Sequence, residues 1–123
     1  MTDPNLSQRK ADHIRINLER DVASRVTSGL ERWRFGHEAL PEINLDEVDL
    51  SVSFLGRRLR APLLISSMTG GTEEARRINL NLAEAAEKAG IAIGLGSMRA
   101  AIARPETAPT FQIREAAPNA LIL

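Results

Sequence analysis

The chain has 123 residues, 16 Lys+Arg against 16 Asp+Glu, no Cys and 43% hydrophobic residues. It is one small domain at most, able to bury roughly two-thirds of its unfolded surface, and its zero net charge argues against a nucleic-acid or anionic-membrane protein held by electrostatics. The missing Cys excludes disulfides and Cys-ligated metal centres and fits a reducing, cytoplasmic compartment.

The first ten residues, MTDPNLSQRK, lack the apolar core of a signal peptide. No apolar run approaches the ~18 residues of a membrane span. Ser7 is a candidate N-cap, and Ala11, Ile14, Leu18 and Val22 follow at helical spacing, which predicts an amphipathic helix over Gln8 to Val22. Ser28-Gly29 breaks it, and Leu30 to Asn44 reads as irregular or short-helical. Val48 to Leu55 alternates apolar with polar, as in a half-buried strand, and Gly56-Arg57 turns it into a hairpin with Arg58 to Arg60.

Beyond residue 60 the pattern changes. Pro62 to Ser66 (PLLIS) reads as a strand buried on both faces. The turn Thr69-Gly70-Gly71-Thr72 leads into a helix from Glu73 to Ala89, striped by Ile78, Leu82, Ala85 and Ala89 and closed by Gly90. Ile91 to Leu95 is a second buried strand. A loop follows Gly96-Ser97, then a helical stretch within Pro105 to Ala116, and Ala120 to Leu123 begins a third strand. Buried strands alternating with helices make βαβ units on a parallel sheet. Two and a half such units do not close a barrel, which takes eight. The expectation is therefore the N-terminal part of a longer α/β protein.

Three clusters could carry chemistry. Arg9, Lys10 and His13 project from one sector of the first helix, near its anion-favouring start. A bidentate guanidinium beside an ammonium suits a diphosphate. A solvated charged face explains the same pattern, because 14 of the 16 basic residues are Arg. Ser66-Ser67-Met68-Thr69-Gly70-Gly71 follows a buried strand, where parallel α/β folds bind ligands. Its glycines serve either close approach of a flat ligand or phosphate, or simply the turn. Gly94-Leu95-Gly96-Ser97-Met98-Arg99 ends the next strand, and lacks the third Gly and immediate helix of a dinucleotide fingerprint. It would set a hydroxyl and a guanidinium beside the Gly-rich turn if the two strands are neighbours. His37 reads as a surface or packing residue. The four aromatics, Trp33, Phe35, Phe54 and Phe111, are too scattered to stack bases.

RKADHI, APLLISSMTGG and AGIAIGLGSMR, in this order and spacing, resemble the type 2 isopentenyl-diphosphate isomerases. The resemblance spans the whole chain, through the RPE and APNALI segments. It implies a flavoprotein (β/α)8 TIM barrel, much longer than this chain, that interconverts isopentenyl and dimethylallyl diphosphates in isoprenoid biosynthesis. The family uses reduced FMN, with NADPH as reductant, and Mg²⁺. On that fold, residues 1–60 are an N-terminal helix, irregular segment and hairpin, and residues 61–123 are two βα units and the start of a third strand.

Residue by residue, Ser67, Met68, Thr69 and Ser97 match FMN-binding positions. Arg9, Lys10, Ser97, Met98 and Arg99 match substrate-binding ones, and His13 matches a family histidine of open role. Met98 stands where the family often has Gln and cannot donate that hydrogen bond. The family's Gln, its Mg²⁺-binding Glu and an FMN-binding Asn are expected beyond Leu123, so no catalytic group and no metal ligand is assigned within this chain. The resemblance further implies a cytoplasmic homo-oligomer, a tetramer or octamer, that binds neither nucleic acid nor membrane. Two alternatives stay open. One is another FMN- or phosphate-binding barrel, such as the inosine-monophosphate dehydrogenase group with its similar turn after the first strand. The other is a non-catalytic fragment.

Overall fold

A computed structural model describes residues 6–123, with side-chain exposures from residue 8 onward. Helix α1 (Leu6–Glu19) is followed by a long irregular stretch broken by 3-10 turns at Leu30–Arg32 and Leu45–Glu47. Strands β1 (Val52–Phe54) and β2 (Arg57–Leu59) form an antiparallel hairpin pairing Val52 with Leu59 and Phe54 with Arg57. The connecting Leu55 and Gly56 both take positive φ, 48° and 73°. Such a two-residue turn follows the right-handed twist of the strands.

Strand β3 (Leu64–Ile65) runs parallel to β4 (Ala92–Ile93), and Ile93 bridges in parallel to Ile122. Between β3 and β4 lies helix α2 (Glu73–Ala89). Thr72 caps its start by accepting the Ala75 N–H at 3.1 Å, and Glu73 and Glu74 occupy the positive first turn. Gly90 ends it at φ 67°, donating to the carbonyls of Ala86 and Glu87. After β4 comes α3 (Arg99–Ala103), then a 3-10 stretch, Pro105–Phe111, whose Pro105 fixes φ at its first position. The described residues thus form a mixed α/β unit with two small sheets.

The core is built from small side chains: Ala83 and Ala86 of α2 pack on Ile93, Ile113, Ala117 and Ala120. Glu87 secures the far end of α2, its carboxylate accepting from the backbone N–H groups of Asn119 and Ala120 and the Asn119 side-chain amide at 2.7–3.0 Å. Those donors, the Asn119 side chain foremost, hold its carboxyl below the usual carboxylate range. The guanidinium of Arg104 keeps Nε and Nη2 buried without a hydrogen-bond partner among the described residues.

Several expectations need correction. Helix α1 begins by Leu6 and ends at Glu19, so Val22 lies outside it; the cap role of Ser7 lies outside the described side chains. Among the described side chains of α1, Ala11, Ile14 and Ile16 are the apolar ones partly covered, and Leu18 is 78% exposed. The strand read over Val48 to Leu55 shrinks to three residues, and its face is exposed: no second layer of the described residues lies on Val52 or Phe54. Leu63 and Leu64 are likewise exposed, so β3 is not buried on both faces, whereas Ala92 and Ile93 of β4 are. On α2 the buried stripe is Ala75, Asn79, Ala83 and Ala86, while Ala85 and Ala89 face solvent. Alanines permit the close helix–sheet approach that Ile78 and Leu82, half-buried at the flanks, would block. Helix α3 replaces the loop expected after Ser97.

Candidate functional site

The parallel register sets the site. Because β3 and β4 end side by side, Ser66–Gly71 and Gly94–Arg99 emerge together at their C-terminal ends. The two segments touch at backbone distance. A Cβ on Gly94 would lie 2.6 Å from Ser67 Oγ and 3.2 Å from Ser67 N. One on Gly96 would lie 2.8 Å from Thr69 C and 2.9 Å from Thr69 N. Glycine at 94 and 96 is therefore what lets the Ser67–Thr69 turn lie flat on the next strand's end.

The glycines of the first turn have a different use from a ligand cradle. A Cβ on Gly70 would enter the Phe111 ring, 2.8 Å from Cδ1 and closer still to Cε1 and Cζ. One on Gly71, at φ +89°, would lie 2.8 Å from the Ala100 Cβ. Both serve the packing of α3 and the 3-10 stretch over the turn. The open part of the turn is Ser67 and Met68, both exposed, with Thr69 9% exposed beside them.

Helix α1 lies across this turn. A groove of about 460 Å³ runs between them, lined by Lys10, His13, Ile14 and Asn17 on the helix side and by Met68, Thr69 and Ile78 on the other. Lys10 is half-buried there, and Asn17 donates its side-chain amide to the His13 carbonyl at 2.7 Å. The structure thus brings Lys10 and His13 to Met68 and Thr69. Arg9 is exposed and does not line the groove. Ser97, Met98 and Arg99 are exposed at the head of α3, where Ser97 Oγ accepts from Arg99 N at 3.4 Å. They flank the turn through the Gly96–Thr69 contact without lining the groove.

One polar cluster was not anticipated. Asn79, only 5% exposed on an otherwise alanine face, donates its amide to the carbonyls of Thr69 and Thr110, each at 3.2 Å. Thr110 Oγ1 accepts from Gly71 N at 2.9 Å and donates to the Thr107 carbonyl at 2.6 Å. A sequence clue existed: Asn79 is the polar member of the Ala75/Asn79/Ala83 spacing. No group of three His, Cys, Asp or Glu able to hold a metal occurs among the described residues. No helix among them is long and apolar enough to cross a membrane.

A family model described as FMN-dependent dehydrogenase matches residues 4–114, nearly the whole chain. The chain belongs to the FMN-dependent dehydrogenase family. Within this family of FMN-dependent proteins, the similar sequences narrow the comparison. The chain is 57% identical over 116 residues to an isopentenyl-diphosphate delta-isomerase of Rickettsia felis, covering 94% of this chain and 34% of the relative. It is 56% identical over 122 residues to the enzyme of the same name from Synechococcus sp., covering 98% of this chain and 35% of the relative. A Rickettsia akari isomerase is 57% identical over 122 residues, 98% of this chain and 36% of its own length. The chain spans about a third of the length of the curated relatives it matches.

Proposed function

We propose that residues 1–123 are the N-terminal part of an FMN-dependent isopentenyl-diphosphate isomerase, which interconverts isopentenyl and dimethylallyl diphosphates. The observation that carries this reading is the groove in which Lys10 and His13 meet the Met68–Thr69 turn at the strand ends. It supports an anion-binding helix facing a flavin-binding turn, and the isomerase names of the relatives support the reaction. Residues 1–60 are the N-terminal helix, irregular segment and hairpin, and residues 61–123 the first two βα units and the start of the third strand of a (β/α)8 barrel. The parallel β3–β4–Ile122 order supports that reading.

Ser67, Met68, Thr69 and Ser97 hold FMN. The exposed Ser67 and Met68, with Thr69 buried beside them, and the glycine-flattened contact at Gly94 and Gly96 suit a planar ring system. Reduced FMN supplies an electron-rich group able to give and take the proton that shifts the double bond. Arg9 and Lys10 bind the diphosphate, Lys10 from within the groove and Arg9 from its exposed shoulder. Ser97, Met98 and Arg99 approach the substrate from the second strand end, with Met98 contributing apolar contact where a hydrogen-bonding side chain is common. His13 lines the groove with Lys10, its role left open. These residues fix substrate and cofactor in place; the chain's share of catalysis is positioning. NADPH is the reductant, Mg²⁺ is held by groups beyond Leu123, and the whole enzyme is a cytoplasmic homo-oligomer, a tetramer or octamer, of isoprenoid biosynthesis.

The test is a full-length chimera in which residues 1–123 replace the matching third of the Rickettsia felis relative. With FMN, NADPH and Mg²⁺ it is expected to convert isopentenyl to dimethylallyl diphosphate. A folded, FMN-loaded chimera without turnover would overturn the assignment.

A further inference from the structure

We propose that Asn79 and Thr110 are positioning residues that set the height of the Ser67–Thr69 turn against the neighbouring strand end. The inference rests on the reading that this turn holds the flavin, and it concerns two buried residues that do not themselves line the groove. A buried primary amide is costly on a helix face otherwise made of alanine, and it is retained where both its protons are used. Asn79 has one proton for each of two carbonyls that belong to different segments, Thr69 of the turn and Thr110 of the 3-10 stretch. The partners lie 10 and 31 residues away in sequence, so the amide fastens α2, the turn and the 3-10 stretch at one point.

Thr110 closes the second side. Its hydroxyl accepts the Gly71 N–H, two residues past Thr69, and passes its own proton to the Thr107 carbonyl. The turn is therefore gripped at residue 69 through its carbonyl and at residue 71 through its N–H. Between the grips, Gly70 lies flush on the Phe111 ring. Upstream of the grips, Ser67 and Met68 are exposed. The clamp ends where the exposed segment begins, and Thr69 is the residue common to both. Release of the clamp frees Thr69 from below, while Gly96 still presses on it from the side.

In the full-length chimera, Asn79→Ala and Thr110→Val are expected to raise the FMN Kd at least tenfold and to change the visible circular dichroism of the flavin that remains bound. The KM for isopentenyl diphosphate should shift less than twofold. Thr110→Ser, which keeps the hydroxyl, should restore both flavin readouts. A role in stability alone would lower the melting temperature in both variants with unchanged Kd and spectrum for the folded protein, and would overturn the proposal. Hydrogen exchange separates this outcome from failure of the flavin reading itself. In the apoprotein, the Gly71 amide should exchange at least tenfold faster in Thr110→Val, and the turn should loosen in Asn79→Ala, with mid-α2 amides unchanged. Should the parent chimera bind no FMN, the flavin reading fails while exchange still decides the clamp. Unchanged exchange at residues 69–71 would overturn it.

Discussion

Gly70→Ala tests the packing that holds the candidate site, and its effect can be worked from distances. The added Cβ would lie 2.8 Å from Phe111 Cδ1 and nearer to Cε1 and Cζ, against ~3.5–4.0 Å for a relaxed carbon–carbon contact. Phe111 is 3% exposed and packs on Ala100 and Ala101, so the ring has little room to retreat. Overpacking typically costs ~1–3 kcal/mol, and driving a Phe ring out of its pocket forfeits ~1.5–3 kcal/mol of burial. Together these give about 2.5–6 kcal/mol. At ~2–4 °C per kcal/mol for a large domain, the thermal midpoint of the chimera should fall by ~5 °C or more. Gly29→Ala is the control: its Cβ meets no atom within 4 Å, and only its φ of +83° opposes the change. That costs ~1–2 kcal/mol. Phe111→Ala destabilises alone but should make Gly70→Ala nearly silent in the double variant. Additive losses, or a Gly70→Ala effect no larger than that of Gly29→Ala, would refute the assigned contact.

Ser67→Ala and Thr69→Ala should each weaken FMN retention, read by fluorescence titration of the apo-chimera, and unchanged affinity in both would return the turn to a plain packing role. Glu87 has its carboxyl depressed in the folded state by the Asn119 and Ala120 donors. Its stabilisation is present above the ordinary carboxylate range and is lost as pH falls through the depressed value. Glu87→Gln should therefore lower stability near neutrality and flatten the acid limb, the difference from the parent shrinking as pH falls; an identical acid limb would count against those hydrogen bonds. Residues 1–123 alone should self-associate and show no turnover, since Leu63, Leu64, Val52 and Phe54 are all exposed. A monomer with a cooperative melt in size-exclusion and calorimetric measurements would contradict this.

What was legible in the sequence was what is set locally. Helix α2 begins and ends at its expected residues because Thr72, the two glutamates and Gly90 act within one turn of its ends. The hairpin and the parallel pairing followed from short-range patterns too, although the turn falls at Leu55-Gly56 and not at Gly56-Arg57, leaving Arg57 to pair with Phe54. Which face is covered was less legible. The apolar spacing on α2 points to Ile78, Leu82, Ala85 and Ala89, but the sheet's approach selects the small Ala75, Ala83 and Ala86 with Asn79. The apolar face of β1 predicts burial that no described residue supplies. Of the site, the three motifs were visible as motifs, and the placing of Lys10 on the same groove as the Met68–Thr69 turn needed the fold. Asn79 was invisible as a clamp because its two acceptors are carbonyls, and carbonyls carry no side-chain signature.

The most direct measurement compares Lys10→Ala with Thr69→Ala in the full-length chimera, scoring each for FMN Kd and for kcat/KM with isopentenyl diphosphate. Lys10 supplies a charge-assisted contact worth ~1.5–3 kcal/mol to the diphosphate, or tenfold and more in kcat/KM. Lys10→Ala should therefore lose turnover efficiency while binding FMN as tightly as the parent, with Arg9→Ala following the same pattern. Thr69→Ala should show the reverse order, its first loss being flavin affinity. Wild-type kcat/KM in both Lys10→Ala and Arg9→Ala would mean that the groove faces no diphosphate and that the basic residues of α1 are only its solvated face.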